Sequence, residues 1–411
     1  MRGEDGKTFY MVLTDMRSSE GWQSNDGLVL MKSTDLIHWQ HTAIDFPTRF
    51  PNLAGFDRQN LHAVWAPQTI WDPAEKKYMI YYSIGRHDWE YPTDDPNFNQ
   101  PYFRIFYSYA NEDFTDITEP KLLFDLGTAA IDGDIVYDAK NQEYVLFFKD
   151  EGRSVMNKKG NFRTRQGVMR ATSKSLTGPY TVEYRHLQKP GQYPVEGSSV
   201  FPLINSDEFI LMYDCYANGH YQFCKSNDLK HFTYVQDTPT RGTFTPRHGS
   251  VIHITDAERQ RLEAWSALGE AVQDMATIAV PCYTIDELAK RKELEAYASQ
   301  VMATKNTPKA FKKAEKKVRK FIAKVNKAIT WYDKYFYAWA DGFTFPGWPG
   351  TKMDYQGEEG NYYVYYTMIP ASLDGKELNY IINGNGAGQT KDLKVTINGE
   401  TTVTVEASDK K

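Results

Sequence analysis

The chain has 411 residues, which is enough for two or three domains. Its net charge of −5 and its pI near 6.0 argue against nucleic acid as the main partner. No hydrophobic run is long enough to span a membrane, and no signal peptide is recognisable before the first predicted strand. Aromatic residues make up 14% of the chain, which suits both packed β cores and sugar-binding surfaces.

A turn-and-strand phrase recurs four times in the first half of the chain. Each copy is an acidic turn followed by alternating apolar and aromatic residues, a pattern that predicts a hairpin and a strand. The first aromatic residue marks each copy, at Tyr10, Tyr78, Tyr144 and Phe209, so the markers are 68, 66 and 65 residues apart. A repeat of this length made of short strands is typical of a β-propeller blade. RHGSVIHIT at 247–255 predicts the inner strand of a fifth blade.

The three cysteines leave at least one thiol unpaired. They are Cys215, Cys224 and Cys282. Cys215 and Cys224 could face each other across a hairpin, but buried free thiols are the preferred interpretation.

Helical periodicity replaces strand periodicity after the propeller. Residues 305–329 place an apolar stripe along one helix face and ten Lys or Arg on the remaining surface. The stripe consists of Phe311, Ala314, Val318, Phe321, Val325 and Ile329. A basic amphipathic helix can bind membranes or acidic partners. We favour a solvated face on a helical connector over 266–330.

Aromatic density rises sharply in the last part of the chain. Fourteen of the thirty-six residues from 331 to 366 are Phe, Trp or Tyr. Strand alternation places Tyr335 and Tyr337 on one face, and Trp348 follows on a Pro/Gly-rich loop. Such a face either forms a sandwich core or stacks on sugar rings, and the pattern alone leaves both open. The sequence predicts a separate β-sandwich over 331–411.

Chemically active residues precede the strand markers at equivalent positions. Asp132 stands twelve residues before one marker and Glu196 thirteen before another, and the WAP motif with Ala66 holds the corresponding place in an earlier blade. The fifth inner strand offers Arg247 and His248. Inner strands of a propeller face a common channel, so we expect these side chains to converge there.

The motifs WAP, IDGD, VEGSS and RHGSV together resemble glycoside hydrolase family 43 over residues 1–265. That family consists of five-bladed propellers that cleave glycosidic bonds with inversion. The resemblance implies that Glu196 is the general acid and that Asp132 orients it and adjusts its pKa. Inversion uses a second carboxylate to activate water, and a nearby anionic Asp132 would raise the pKa of Glu196.

The same resemblance implies roles for three further residues. His248 would lie beside a metal-and-water site, Trp65 would form part of the pocket wall, and Arg247 would hold a substrate hydroxyl. No cofactor is required for the reaction, although a structural calcium ion could occupy the channel.

The general base of the family is an Asp on the inner strand of the first blade. Asp5 belongs to a hairpin turn and Asp15 lies at the far end of its strand, so neither matches the motif. The resemblance therefore implies a base upstream of Met1. On this interpretation the propeller is incomplete at its N-terminus, a secretion signal is missing with the first strand, and the chain as given hydrolyses little by itself.

Residues from 331 to about 406 resemble a starch-binding module of carbohydrate-binding family 26, through YAW, WPGTKM, GNYYVYY and IINGNGAGQTKDL. The resemblance implies that Tyr335, Tyr337 and Trp348 stack on an α-glucan, and that Gln389 binds sugar hydroxyls.

The sequence thus predicts an all-β five-bladed β-propeller (1–265), a helical connector (266–330) and a small C-terminal β-sandwich (331–411). We expect an inverting glycosidase that releases pentose, most specifically α-L-arabinofuranosyl, units from plant polysaccharides or oligosaccharides. β-Xylosidase or galactosidase activity, or a non-catalytic lectin-like propeller, are the alternatives. The full-length protein is expected to be secreted, periplasmic or on the cell surface, without a nucleic-acid partner.

Overall fold

This structure, a computed structural model, describes thirteen segments of the chain: residues 1–21, 24–91, 100–152, 155–156, 163–239, 248–278, 285–326, 334–340, 342–345, 347–360, 362–384, 387–406 and 409. The chain divides into two compact units, 1–255 and 256–411. The predicted propeller boundary at 265 lies ten residues later, because a helix already begins at Asp256. None of the described helices is long and apolar enough to cross a membrane.

The first unit consists of antiparallel sheets that follow one another along the chain. Its described residues form one three-stranded and three four-stranded sheets, each with its strands in chain order. A short helix, α1 (Phe46–Arg49), follows the first sheet. The strands of the four sheets are β1 (Phe9–Thr14), β2 (Gly27–Ser33), β3 (Gln40–Asp45); β4 (Leu61–Asp72), β5 (Lys77–Arg86), β6 (Tyr102–Tyr109), β7 (Lys121–Phe124); β8 (Ala130–Asp138), β9 (Glu143–Asp150), β10 (Val168–Ser173), β11 (Thr181–Glu183); and β12 (Glu196–Pro202), β13 (Phe209–Cys215), β14 (His220–Ser226), β15 (Thr233–Pro239).

The acidic residues of the repeated phrase form the hairpin turns. The carboxylate of Asp72 accepts the backbone N–H of Ala74 at 2.9 Å, and that of Asp138 accepts the N–H of Lys140 at 3.0 Å. Such local bonds fix a tight turn between two strands. The strand marker then lies on the second strand of each four-stranded sheet, while Tyr10 lies on β1. Among the described residues, no strand equivalent to β4, β8 or β12 precedes β1.

Apolar side chains fill the spaces between neighbouring sheets. One buried cluster lies between the first two sheets, a second between the middle two and a third between the last two. The innermost strands also contact one another, β4 with β8 and β8 with β12. This radial packing is what a propeller requires, because each sheet then buries both of its faces.

Residues 248–255 lie where the fifth blade is predicted, but they form no regular strand. The imidazole Nε2 of His253 is 2.8 Å from the carbonyl oxygen of Pro202 on β12. The hydroxyl of Ser250 donates to Oε1 of Gln68 on β4 at 2.8 Å. The segment therefore contacts both the last four-stranded sheet, through β12, and the first four-stranded sheet, through β4. The predicted strand is wrong for these residues, and the presence of five blades stays a prediction.

Cys215 and Cys224 are buried free thiols. They lie on β13 and β14, and in the register of that hairpin neither is paired with the other. The preferred interpretation of these two residues is confirmed, while Cys282 lies outside the described residues.

The second unit begins with three helices that contact one another. They are α2 (Asp256–Thr277), α3 (Ile285–Thr304) and α4 (Pro308–Asn326). The predicted stripe of α4 is buried from Phe311 to Val325, as its helical spacing requires, and Ile329 lies outside the described residues.

The remaining strands form a six-stranded and a two-stranded antiparallel sheet. The larger sheet contains β16 (Tyr335–Ala340), β17 (Phe343–Phe345), β18 (Thr351–Lys352), β21 (Glu377–Gly384), β22 (Ala387–Gln389) and β23 (Leu393–Thr396), and the smaller contains β19 (Asp354–Glu359) and β20 (Tyr362–Tyr366). Phe336 and Ala338 are buried, with Leu373, Leu378 and Tyr380 in the same cluster. The sandwich over 331–411 stays a prediction.

Candidate active site

The innermost strands share a backbone irregularity that aligns their chemically active residues. The register of β4, β8 and β12 shifts at a bulge. Beside each bulge one residue has a positive φ: Ala66 at 49°, Asp132 at 56° and Gly197 at 60°, and His248 has a φ of 62°. Bulges re-aim side chains, and a non-glycine residue in this region is strained. Asp132 thus occupies the same bulge position as Ala66 and Gly197, Glu196 lies one residue before that position on its strand, and His248 shares the positive φ.

Asp132, Glu196 and His248 come together in space. One ligand atom from each lies within 4.8 Å of the others. Nε2 of His248 is 3.2 Å from Oε1 of Glu196, and the backbone N–H of Gly197 donates to Oδ2 of Asp132 at 2.9 Å. The structure therefore gathers these three predicted residues into one cluster, whereas Arg247 lies outside the described residues.

A buried lysine, absent from the sequence prediction, completes this cluster. Nζ of Lys149 lies 2.8 Å from Oε2 of Glu196 and 2.5 Å from Oε2 of Glu151, and only 2% of the lysine side chain is exposed. It is also 5.0 Å from the ring centre of Tyr216. Its position relative to the repeat is a sequence signal that could have found it. Lys149 stands five residues after the strand marker Tyr144, and Asp214, which pairs with Glu196 across the sheet, stands five residues after the marker Phe209.

These neighbours reverse the expected protonation of Glu196. Burial by itself raises the pKa of the Glu196 carboxyl, but the hydrogen bond from His248 and the charge of Lys149 outweigh burial and lower that pKa to about 2. The expectation that Asp132 keeps the pKa of Glu196 high is therefore wrong for this arrangement. Burial lowers the pKa of His248, yet the carboxylates of Asp132 and Glu196 raise it above its ordinary value.

Asp134, two residues after Asp132, differs from the catalytic candidates because its carboxylate binds the backbone. Its Oδ2 accepts the N–H of Val200 at 2.6 Å, which ties β8 to β12. Burial raises the pKa of Asp134 to about 7 in spite of that bond. Asp134 therefore has a structural contact, and Asp132 is the aspartate of the cluster.

The predicted pocket-wall residue Trp65 is held from two sides. Its indole N–H donates to Oδ1 of Asn25 at 2.8 Å, and its ring stacks on Phe103 with centroids 4.6 Å apart. The ring of His62 lies 6.3 Å from Trp65 and 4.7 Å from His87. This aromatic group fixes the orientation of the Trp65 ring.

His62 predicts a loss of stability in mild acid. Burial, and then the charge of His87, lower the pKa of His62 to about 4, and its Nδ1 is buried without a hydrogen-bond partner among the described residues. Because the unfolded chain binds the proton more readily, the stabilisation is present above a pH of about 6.5 and is lost as pH falls toward 4. We expect a fall of about 2 kcal/mol in the free energy of unfolding between these values, measured by urea unfolding.

The matched comparison for this prediction uses two histidine variants. His62→Phe should reduce the acid-induced fall between pH 6.5 and 4, whereas His41→Phe, at an exposed position on β3, should retain it. The same pH dependence in both variants would contradict a contribution from His62.

The donor set of the cluster fits a calcium ion poorly. It offers two carboxylates and one imidazole, whereas Ca²⁺ typically takes about six to eight oxygen ligands. The ammonium group of Lys149 also lies 2.8 Å from Glu196, where it would repel a cation. Calcium and the metal role of His248 stay predictions, and no step below depends on a metal.

The predicted glycan face of the second unit is partly exposed. Tyr335 and Tyr337 alternate with buried residues on β16, and the ring of Tyr337 lies 5.4 Å from Trp348, whose side chain is 48% exposed. Strand pairing places Gln389 opposite Asn383 and Asn383 opposite Tyr335, so Gln389 lies in the same row across the sheet. The ring of Trp339, 5.7 Å from Tyr337, extends the aromatic group.

Comparison with known proteins identifies the first unit. The model of a family related to glycoside hydrolase family 43, described as a probable glycosyl hydrolase domain, matches residues 1–260. An α-L-arabinofuranosidase from Bifidobacterium longum subsp. longum is 26% identical over 208 residues, which are 48% of this chain and 18% of that protein. The chain thus spans less than a fifth of the length of this relative.

Two solved structures of family 43 enzymes are also similar. One is a thermostable family 43 glycoside hydrolase, with 14% identity and a TM-score of 0.42 over 61% of this chain and 77% of that one. The other is a family 43 enzyme from Xanthomonas citri complexed with xylotriose, with 14% identity and a TM-score of 0.43 over 61% and 76% of the two chains.

Proposed function

Since the chain belongs to the family of probable glycosyl hydrolase domains related to family 43, we propose that its first unit hydrolyses glycosidic bonds with inversion. The observation that carries the proposal is the convergence of Asp132, Glu196 and His248 from three separate inner segments. Unlike a surface acid, each of these residues is held at a backbone bulge or a positive φ, so the cluster is pre-organised.

Glu196 is the proposed general acid and Asp132 the residue that positions it. A carboxyl group with a pKa near 2 is ionised at neutral pH and cannot protonate a leaving oxygen. In the proposed reaction, substrate therefore separates Glu196 from His248 and Lys149 as it binds, and the buried carboxylate takes up a proton from solvent water, which it then transfers to the leaving oxygen. Asp132 accepts a hydrogen bond from the backbone N–H of Gly197, and this bond fixes the backbone next to Glu196.

The general base remains the part of the mechanism that rests on the sequence resemblance. Asp5 is committed to its turn, where it accepts the N–H groups of Lys7 at 2.9 Å and Thr8 at 2.8 Å. Asp15 follows the last residue of β1. We therefore assign the role of general base to neither Asp5 nor Asp15.

The proposed substrate is a pentose unit, foremost α-L-arabinofuranosyl, at the end or on the side of a plant polysaccharide. The similarity to an arabinofuranosidase supports this choice over β-xyloside and galactoside. The test is a panel of aryl glycosides of the three sugars, cleaved in the presence of azide. Fastest release of arabinose is expected, and faster release of xylose or galactose would move the substrate assignment to that sugar. The proposal includes export of the protein to the surface or the exterior of the cell, where such polymers occur.

A lectin-like propeller is the second candidate, and the ionised state of Glu196 favours it. Lys149 and His248 both contact this carboxylate, an arrangement that suits hydrogen bonding to sugar hydroxyls as well as catalysis. Binding of arabino-oligosaccharides without cleavage, even with an added nucleophile, would support the lectin.

We further propose that the second unit binds an α-glucan through Tyr335, Tyr337, Trp348 and Gln389. The support is the exposed aromatic group, because flat C–H faces of sugars stack on such rings. Trp348→Ala is expected to weaken starch retention in affinity electrophoresis by about fivefold, since a stacking ring contributes roughly 1 kcal/mol. Tyr366→Ala, which removes a ring that is also 48% exposed in the same unit, is the control. Unchanged retention of the Trp348 variant would refute the platform.

A further inference from the structure

Helix α4 carries a one-sided row of lysines. The helix has eight cationic side chains and one acidic residue, Glu315. With 3.6 residues per turn, five exposed lysines fall within an arc of about 100°, opposite the buried apolar stripe, and extend over about 16 Å of helix. This lysine row consists of Lys309, Lys312, Lys313, Lys316 and Lys320.

Most other cations of the three helices have partners. Arg319 pairs with Glu315 and Asp274, and Lys324 lies 3.1 Å from Glu287. Helices α2 and α3 place acids three or four residues from their cations, in the pairs Arg259–Glu263, Lys290–Glu293 and Arg291–Glu295. Within the described part of the chain, no carboxylate lies within ion-pair distance of a side chain of the lysine row.

This arrangement disfavours the isolated helix and favours an anionic ligand. Like charges three or four residues apart destabilise a helix. Solubility alone is served by mixed charges, as on α2 and α3. The whole chain has a net charge of −5, so attraction to a polyanion would be local to the lysine row and not a property of the entire surface.

The chemistry of α4 selects among polyanions. Its apolar side chains are buried against the other helices, with Phe311 at 0% and Phe321 at 8% exposure, so the helix has no apolar face to insert into a lipid bilayer. The same burial removes its aromatic rings from any nucleobase, although base stacking is a major part of single-strand binding. A row of ammonium groups without an accessible apolar or aromatic face suits a polymer bound through its charges alone, such as a linear chain of carboxylates.

We infer that the lysine row binds a linear acidic polysaccharide through its uronate carboxylates. This site is distinct from the propeller cluster and from the aromatic face of the second unit, and it does not depend on hydrolytic activity. The lysine row would add a salt-sensitive contact with a charged polysaccharide to the two proposed sites for neutral sugars.

The test measures binding of the complete 411-residue chain to polygalacturonate by titration calorimetry at low ionic strength. Replacement of Lys309, Lys313, Lys316 and Lys320 by Gln should raise Kd about tenfold or more, because four of the five ammonium groups that face the polymer are lost. The control replaces four other exposed lysines of the same unit, Lys290, Lys292, Lys376 and Lys394, by Gln and should change Kd by less than about threefold. Thermal unfolding checks that both variants fold.

Further arms separate the alternatives. Added salt should weaken binding to polygalacturonate, and the methyl-esterified, uncharged polymer should not bind. Absence of binding by the parent chain, or equal losses in the two fourfold variants, would overturn the inference. Tighter binding to DNA or to anionic phosphatidylserine vesicles than to polygalacturonate would overturn it as well. Glycosidase assays on the same variants keep this outcome separate from that of the proposed function.

Discussion

Glu196→Gln is expected to reduce cleavage of alkyl pentosides by about 10²–10⁴-fold while activated dinitrophenyl pentosides lose less than about tenfold. A poor leaving group needs a proton as the bond breaks, and a stable phenolate does not. Glutamine keeps the size and polarity of Glu196 but cannot deliver that proton. Product release is measured for both substrates in the presence of azide, which attacks in place of activated water, so the result does not depend on the position of the general base.

The control for the acid is Glu208→Gln. Glu208 is an exposed carboxylate in the turn before β13 and pairs with Lys225 at 2.8 Å, so its loss should leave both substrates unaffected. A similar loss on both leaving groups in Glu196→Gln would show that Glu196 binds or positions the sugar without donating a proton. No cleavage of either substrate by the parent chain with azide present would favour the lectin-like alternative.

The strands of the first unit were predictable because their signals are local. Alternating apolar residues after an acidic turn specify a hairpin within about ten residues, and the carboxylates of Asp72 and Asp138 make the expected turn contacts. The spacing of Asp132 and Glu196 from the strand markers also correctly predicted that they lie on neighbouring innermost strands. Residues 248–255 have no such turn after them, and there the predicted strand is absent.

The protonation of Glu196 could not be predicted from spacing to the markers. It depends on Lys149, which lies on the second strand of another sheet, and on His248, which is more than fifty residues away in the chain. The register of β8 with β9 places Lys149 opposite Ile131, beside Asp132, and only that pairing reveals the cation. Residues distant in the chain thus determine the pKa of Glu196, whereas local sequence patterns determine the strands on which Asp132 and Glu196 lie.

The amphipathic stripe of α4 was predictable from its 3.6-residue period, but the significance of its charged face was not. The sequence alone favoured a solvated surface, because the chain is acidic on balance. The structure distinguishes Arg319 and Lys324, which have carboxylate partners, from the lysine row. The pairs Arg319–Asp274 and Lys324–Glu287 each join two helices, so they are visible only in the assembled structure.

Lys149→Met is expected to lower the free energy of unfolding of the first unit by about 3–5 kcal/mol, the largest stability effect we predict. The lysine is 2% exposed and lies between two carboxylates, so its removal leaves buried negative charge without a cation. Methionine has a similar length and fills the space, which limits the loss from packing. Urea unfolding followed by tryptophan fluorescence measures the change, and Lys174→Met is the control, because Lys174 is 71% exposed and lies 3.7 Å from Glu143.

A second substitution separates charge from packing in this prediction. Glu196 keeps His248 as a neighbour when Lys149 is lost, whereas the 2.5 Å contact of Glu151 with Lys149 disappears. Lys149→Met combined with Glu151→Gln should therefore regain part of the lost stability. Burial raises the pKa of Glu151, so the deficit of Lys149→Met alone should also shrink as pH falls and Glu151 takes up a proton. A loss no larger than that of Lys174→Met, or no recovery in the double variant, would contradict a buried ion pair at the centre of the cluster.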